Sequence, residues 1–153
     1  LAMKNITIHA VFIVGVVVAG FIVGIVNVPG EWYQSLAKPP FNPPNWVFAP
    51  AWSLLYILIG WAGARLFTGR PQTSGALTLW SALLVLNLAW SPLFFGMEMP
   101  AAALVVVVAL LAGILLFIAR TWGKDRPAAL LFAPYAAWVA FATLLNASIV
   151  YLN

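Results

Sequence analysis

Residues 31–56 read EWYQSLAKPPFNPPNWVFAPAWSLLY, a proline-stiffened aromatic loop that runs directly into an apolar helix. Pro39, Pro40, Pro43 and Pro44 fix φ and remove backbone donors, which excludes regular helix from Lys38 to Asn45. This stretch is expected to be an extended, pre-shaped connection whose aromatic rings lose little entropy on meeting a flat ligand. From Trp46 the chain stays apolar as far as Phe67, long enough to cross the ~30 Å hydrocarbon core of a bilayer.

Four further segments meet the same requirement of about 20 apolar residues, so the expected spans are residues 6–27, 46–67, 77–95, 101–119 and 128–152. Turn chemistry separates them: Pro29-Gly30, Thr68-Gly69-Arg70-Pro71, Gly96 to Pro100, and Gly123 to Pro127. Only the first connection, residues 28–45, is long. Short connections make spans two to five antiparallel neighbours, and the fold class expected is an all-α membrane protein with a single bundle of five transmembrane helices. The whole of 1–153 is read as one domain, without internal repeats.

Composition leads to the same class. A chain 65% hydrophobic and 7% charged, with mean hydropathy +1.05, lacks the roughly 25% charged residues of a water-facing surface. Seven basic and three acidic residues are too few and too scattered to track a phosphate backbone, so no nucleic-acid partner is expected. With no cysteine there is no disulfide, thiolate or iron–sulfur chemistry, and with His9 alone there is no histidine metal cluster. The first apolar segment exceeds the usual signal-peptide core of about 7–15 residues and reads as a retained helix. Met3-Lys4 reads as a natural start, with Leu1 and Ala2 a non-native addition ahead of it.

Five spans place the termini on opposite sides. Lys4, Arg65, Arg70, Arg120, Lys124 and Arg126 then share the side of the N-terminus, against Lys38 with Glu31 and Glu98 on the other. By the positive-inside rule the N-terminus is expected in the cytoplasm and the aromatic loop on the opposite side.

No charged side chain falls in the middle of a span, which argues against a proton relay, ion pathway or voltage sensor. Asn87 and Asn146 are amides in hydrocarbon and need partners, either by bonding helix to helix or by lining a polar-topped cavity; both roles can coexist. Of the eight tryptophans, Trp122, Trp32 and Trp46 fit an interfacial belt. Trp52, Trp90 and Trp138 lie deeper, as core packing or as walls of a ligand pocket. Pro92 and Pro134 each remove a backbone bond within a span and are expected to kink it. Gly20 with Gly24, and Gly60 with Ala64, read as close helix packing or a dimer face. A lone interfacial histidine reads as solvated rather than as a haem ligand. The acids form no catalytic dyad, since Glu31 and Glu98 are on loops and Asp125 between Lys124 and Arg126 reads as local charge balance. No catalytic residue and no metal site is therefore expected.

Trp32-Tyr33, Leu36, Lys38-Pro39, Pro43-Pro44, Trp46, Phe48, Pro50, Trp52 and Leu55-Tyr56 form an ordered pattern. It continues in Asn87, Trp90, Pro92 and Phe94-Phe95-Gly96, and in Pro134-Tyr135, Trp138, Ala142 and Leu145-Asn146. This pattern resembles, over essentially the whole chain, the family of tryptophan-rich sensory proteins and translocator proteins, also called peripheral benzodiazepine receptors. The resemblance implies a five-helix bundle, usually a homodimer. Its implied ligands are porphyrins such as protoporphyrin IX and haem, sterols, and synthetic benzodiazepine or isoquinoline compounds, held beneath the first loop with no resident cofactor.

Carried over by position, the implied lining is Trp32, Phe48, Ala49, Trp52, Tyr56, Asn87, Trp90, Trp138, Ala142 and Leu145. Trp52 and Trp138 match a pair linked in some bacterial relatives to light-dependent porphyrin breakdown. Phe41 departs from the tryptophan often found before the Asn/His-Pro-Pro element, and no basic residue follows Tyr151, which argues against high-affinity sterol binding. The implied function is a membrane sensor or receptor for tetrapyrroles and stress signals. The alternatives are a transporter of porphyrin or lipid and a light-dependent porphyrin-degrading protein.

Overall fold

A backbone in hydrocarbon must satisfy its own hydrogen bonds, and the chain does so with helices, no strand occurring among the described residues. The computed structural model describes residues 2–153; Leu1 and the side chain of Ala2, read above as an addition, lie outside the described residues. The elements are α1 (Ala2–Val26), α2 (Glu31–Ser35), a 3-10 turn (Asn45–Val47), α3 (Phe48–Thr68) and α4 (Ser74–Ser91). A π-helical turn (Pro92–Gly96), α5 (Pro100–Thr121), α6 (Arg126–Leu131) and α7 (Ala133–Leu152) follow. Five stretches are long and apolar enough to cross a membrane: Met3–Val26, Asn45–Thr68, Ser74–Gly96, Pro100–Thr121 and Arg126–Leu152. The protein is thus an all-α integral membrane protein.

Three local features refine the sequence reading. The first connection is not wholly extended, because it carries α2 at its start and the 3-10 turn at its end. Between them residues 36–44 are irregular, closed by one turn in which Asn42 N–H bonds the Pro39 carbonyl at 3.0 Å. At Pro92 the missing N–H leaves the Leu88 carbonyl without its intrahelical donor, and the backbone widens so that Met97 N–H reaches the Pro92 carbonyl at 2.8 Å. Before Pro134 the span is interrupted at one residue: α6 ends at Leu131, Phe132 takes φ −85° and ψ −8°, and α7 starts at Ala133, with Ala136 N–H bonding the Phe132 carbonyl at 2.8 Å.

Asp125 also departs from its reading as local charge balance. It pairs with Arg65 on α3, Nη2 to Oδ1 at 3.0 Å, and its carboxylate caps α6 by accepting Ala128 N–H at 3.3 Å. Its neighbour Arg126 instead lies over the Trp122 ring, 4.7 Å from the centroid.

Small residues set the helix spacing. A Cβ on Gly60 would fall 2.6 Å from Ile13 Cα, so α1 and α3 touch backbone to backbone, and Gly20 admits the Tyr56 ring in the same interface. Gly24 meets nothing within 4 Å. Around the bundle α1 packs on α3 and α4, α4 on α5, α5 on α7, and α6 on α3, whereas α3 and α7 barely touch. The fully buried side chains Ile59, Leu66, Ile114, Phe117, Phe132 and Val139 fill the half nearer the 69–73 and 122–125 connections. There Phe117 and Phe132 stack with centroids 4.0 Å apart, and Tyr135 meets Phe132 edge-on at 5.1 Å. Val11, Val14, Val18 and Ile22 of α1 are exposed on the outside, facing the bilayer.

Candidate ligand cavity

Where α3 and α7 part, in the half of the bundle under the first loop, lies a cavity of about 580 Å³. That is within the roughly 300–1,000 Å³ of small-molecule sites. Its walls come from the end of α1 and the turn after it (Gly20, Phe21, Gly24, Ile25, Asn27, Val28, Pro29), the loop (Tyr33, Asn42, Asn45) and the start of α3 (Phe48, Ala49, Trp52, Ser53, Tyr56). The end of α4 with its π-helical turn (Asn87, Trp90, Ser91, Phe94, Phe95) and the later turns of α7 (Trp138, Ala142, Leu145, Asn146, Ile149) complete them. No charged side chain is among them.

The structure brings nine of the ten sequence-derived residues to this cavity: Phe48, Ala49, Trp52, Tyr56, Asn87, Trp90, Trp138, Ala142 and Leu145. Trp32 is not among them. Successive residues on the single turn of α2 point about 100° apart, so only one ring of Trp32-Tyr33 can face inward, and Tyr33 does. Trp32 packs instead on Phe94, centroids 5.9 Å apart. Phe41 likewise lies outside the lining, against Phe141 at 6.4 Å. The contribution of α1 and the asparagines Asn42 and Asn45 were missed; the one available signal for the former was the Gly20–Gly24 spacing, which reads as ordinary packing.

Two aromatic walls face the space. On one side Trp52 sits 5.7 Å from Tyr56 and 6.4 Å from Trp138, and Phe48 meets Trp138 edge-on at 6.0 Å. On the other, Trp90 stacks on Phe94 at 4.9 Å, and Phe95 packs edge-on to Trp90 and Tyr33.

The intramembrane amides do both things the sequence left open. Asn87 Nδ2 donates to the Tyr135 hydroxyl oxygen at 2.6 Å, tying α4 to α7. Asn146 Oδ1 accepts the Trp90 indole N–H at 2.9 Å while its Nδ2 donates to the Pro100 carbonyl, also at 2.9 Å. Both side chains also border the cavity.

Two polar atoms of the lining residues are buried without a partner, Trp138 Nε1 and Asn42 Oδ1. By contrast the Trp80 N–H, away from the cavity, is satisfied by the Ile59 carbonyl at 2.9 Å. At the mouth, burial pushes the Tyr33 phenol above its usual pKa, an effect the adjacent Asn42 amide opposes in part without meeting the geometry of a hydrogen bond. Lys38 Nζ lies 4.5 Å from the Tyr33 ring centroid. His9 bonds its own helix through the Asn5 carbonyl at 2.8 Å and stands apart from the cavity. No metal-binding cluster of acids, cysteines or histidines occurs among the described residues.

The arrangement suits a flat, mainly apolar guest that stacks and edges against rings and meets a few neutral polar atoms. Its lining includes no acid, histidine or cysteine.

Comparison with known proteins accords with this architecture. The family model described as the TspO/MBR family matches residues 11–152. Protein CrtK of Rhodobacter capsulatus is 37% identical over 152 residues, which is 97% of this chain and 94% of that one. Tryptophan-rich protein TspO of Chlorobaculum tepidum is 42% identical over 129 residues, 82% of each chain. The human Translocator protein is 39% identical over 136 residues, 83% of this chain and 79% of its own. A match along nearly the whole length, on a five-span bundle, means that this chain belongs to the TspO/MBR family of integral membrane proteins.

Proposed function

We propose that this protein is a membrane receptor that binds porphyrins, such as protoporphyrin IX and haem, and other flat hydrophobic molecules in the cavity under the first loop. Occupancy would then regulate a tetrapyrrole or stress response. The observation that carries the reading is the uncharged, aromatic-walled cavity of about 580 Å³. A guest that offers an acceptor to Trp138 Nε1 and a donor to Asn42 Oδ1 also recovers part of the roughly 1–3 kcal/mol each unpaired buried group costs.

Titration of detergent-solubilised protein with protoporphyrin IX, followed by tryptophan quenching, tests the reading. Saturable quenching is expected, and strictly linear quenching would remove the receptor. Flux of porphyrin through vesicles containing purified protein would favour the transporter instead.

The Trp52–Trp138 contact supports a second role, light-driven porphyrin breakdown, because indoles beside an excited pigment can donate electrons. As part of the same proposal the protein forms one domain, works as a homodimer, and has its N-terminus in the cytoplasm. The basic residues Lys4, Arg65, Arg70, Arg120, Lys124 and Arg126 motivate this orientation, and an alkaline phosphatase fusion at Asn153 should be active.

A further inference from the structure

Besides the ring contacts of Trp32, Tyr33 and Phe41, the first loop is hydrogen-bonded to a distant part of the chain by a single side chain. Asn153 Oδ1 accepts the backbone N–H of Ala37 at 3.0 Å, and Asn153 Nδ2 donates to the Ala37 carbonyl at 2.9 Å, a two-point contact across 116 positions. The amide is itself anchored, since Nδ2 also donates to the Ile149 carbonyl at 2.8 Å. Ile149 lines the cavity and belongs to the same apolar cluster as Tyr33.

Ala37 is where such a tie has most effect. Immediately beyond it Pro39, Pro40, Pro43 and Pro44 carry no N–H, and the backbone bonds of this region are local, Leu36 to Tyr33 and Asn42 to Pro39. Among the described residues no other hydrogen bond joins residues 28–44 to a distant helix. A stiff segment held at one end by Asn45 and at the other by this amide moves as a unit when the amide lets go.

We infer that Asn153 is a positioning residue for the cavity, a clasp that sets how fast guests enter and leave; the inference rests on the cavity being a ligand site. The clasp joins loop to helix and does not touch the cavity space, so it is made in the empty and the occupied protein alike. A contact common to both states cancels from affinity and remains in the rates.

The test uses the full chain with Asn153→Ala, which removes both contacts, and Asn153→Asp, which keeps the acceptor but loses both donations. Hydrogen exchange of the ligand-free protein should speed up in residues 36–45 by about fivefold in Asn153→Asp, which loses one hydrogen bond to Ala37, and by more in Asn153→Ala, which loses both, and stay unchanged in residues 69–73. With protoporphyrin IX as probe, stopped-flow association and dissociation should both accelerate by a similar factor, with Kd within about twofold of wild type.

Unchanged exchange in both variants overturns the clasp. Faster exchange with unchanged porphyrin rates places the exit elsewhere and overturns it too. A weaker Kd without faster association makes Asn153 a contact or folding residue, which also defeats the inference. Failure of the wild type to bind protoporphyrin counts against the receptor reading, and the exchange measurement alone then decides whether the clasp exists.

Discussion

Trp52 on α3 and Trp138 on α7 meet edge to face, their ring centroids 6.4 Å apart and their planes at 89°. With the Phe48–Trp138 contact at 6.0 Å, it bridges two helices that otherwise barely touch. The two indoles therefore serve at once as packing and as cavity wall, and the Trp138 N–H is left without an acceptor.

Replacing either indole by phenylalanine keeps an apolar ring and shortens its reach. Each of Trp52→Phe and Trp138→Phe should weaken protoporphyrin binding by about 0.5–1.5 kcal/mol with modest loss of stability. Fluorescence titration of the folded fraction checks this. Intact affinity with a large drop in melting temperature would assign both residues to packing alone.

Illumination distinguishes photochemistry from binding. If the indoles donate electrons to excited porphyrin, bleaching of bound pigment should need oxygen and should slow in the Trp52→Phe, Trp138→Phe double variant at matched occupancy. Absorbance decay is the readout, and equal rates in wild type and variant exclude the role.

The loop prolines are expected to act through pre-organisation. Glycine at positions 43 and 44 raises the entropy lost when residues 36–44 settle over a guest, so the Pro43→Gly, Pro44→Gly variant should bind protoporphyrin about 1 kcal/mol more weakly. Isothermal titration of a correctly folded variant makes the measurement. Unchanged affinity would take the loop out of the binding step.

The opposite end should show the converse behaviour. Asp125→Ala removes the cap of α6 and leaves Arg65 unpaired, whereas Asp125→Asn keeps the cap. The alanine variant should lose about 1–2 kcal/mol of stability and the asparagine variant less, because the Arg65 side chain is 36% exposed and its ion pair is screened. Thermal unfolding in detergent reports the loss. Porphyrin affinity of the folded protein should not move, since neither residue borders the cavity.

The five spans and the stiff loop were legible because hydropathy and proline act locally. The helix α2 was not: it has five residues, and Gly30 offers no side-chain cap to announce it. Pro134 was visible, but whether it kinks or interrupts the span depends on how α6 is held, and the partner that holds it, Arg65, lies 60 positions from Asp125. Residues of α3, α4 and α7 at the cavity were implied by the family resemblance that the ordered aromatic and amide pattern carries. Those of α1 did not, because a glycine that faces empty space and one that admits Tyr56 look identical in a sequence. The unpaired atoms of Trp138 and Asn42 require coordinates, as pairing is a property of distance.

On the side of the cavity away from the first loop, Phe117 and Phe132 stack and Tyr135 meets Phe132 edge-on. A molecule entering from the loop side meets the tightest-filled slab of the bundle, where Ile114, Phe117 and Val139 are wholly enclosed. Carriage to the far leaflet would require prising that slab apart, against the cohesion of a close-packed interior. A guest that leaves past the first loop meets no such layer. Under the proposed receptor reading, dwell time rather than throughput would matter, and the signal would be the fraction of molecules filled at a given moment.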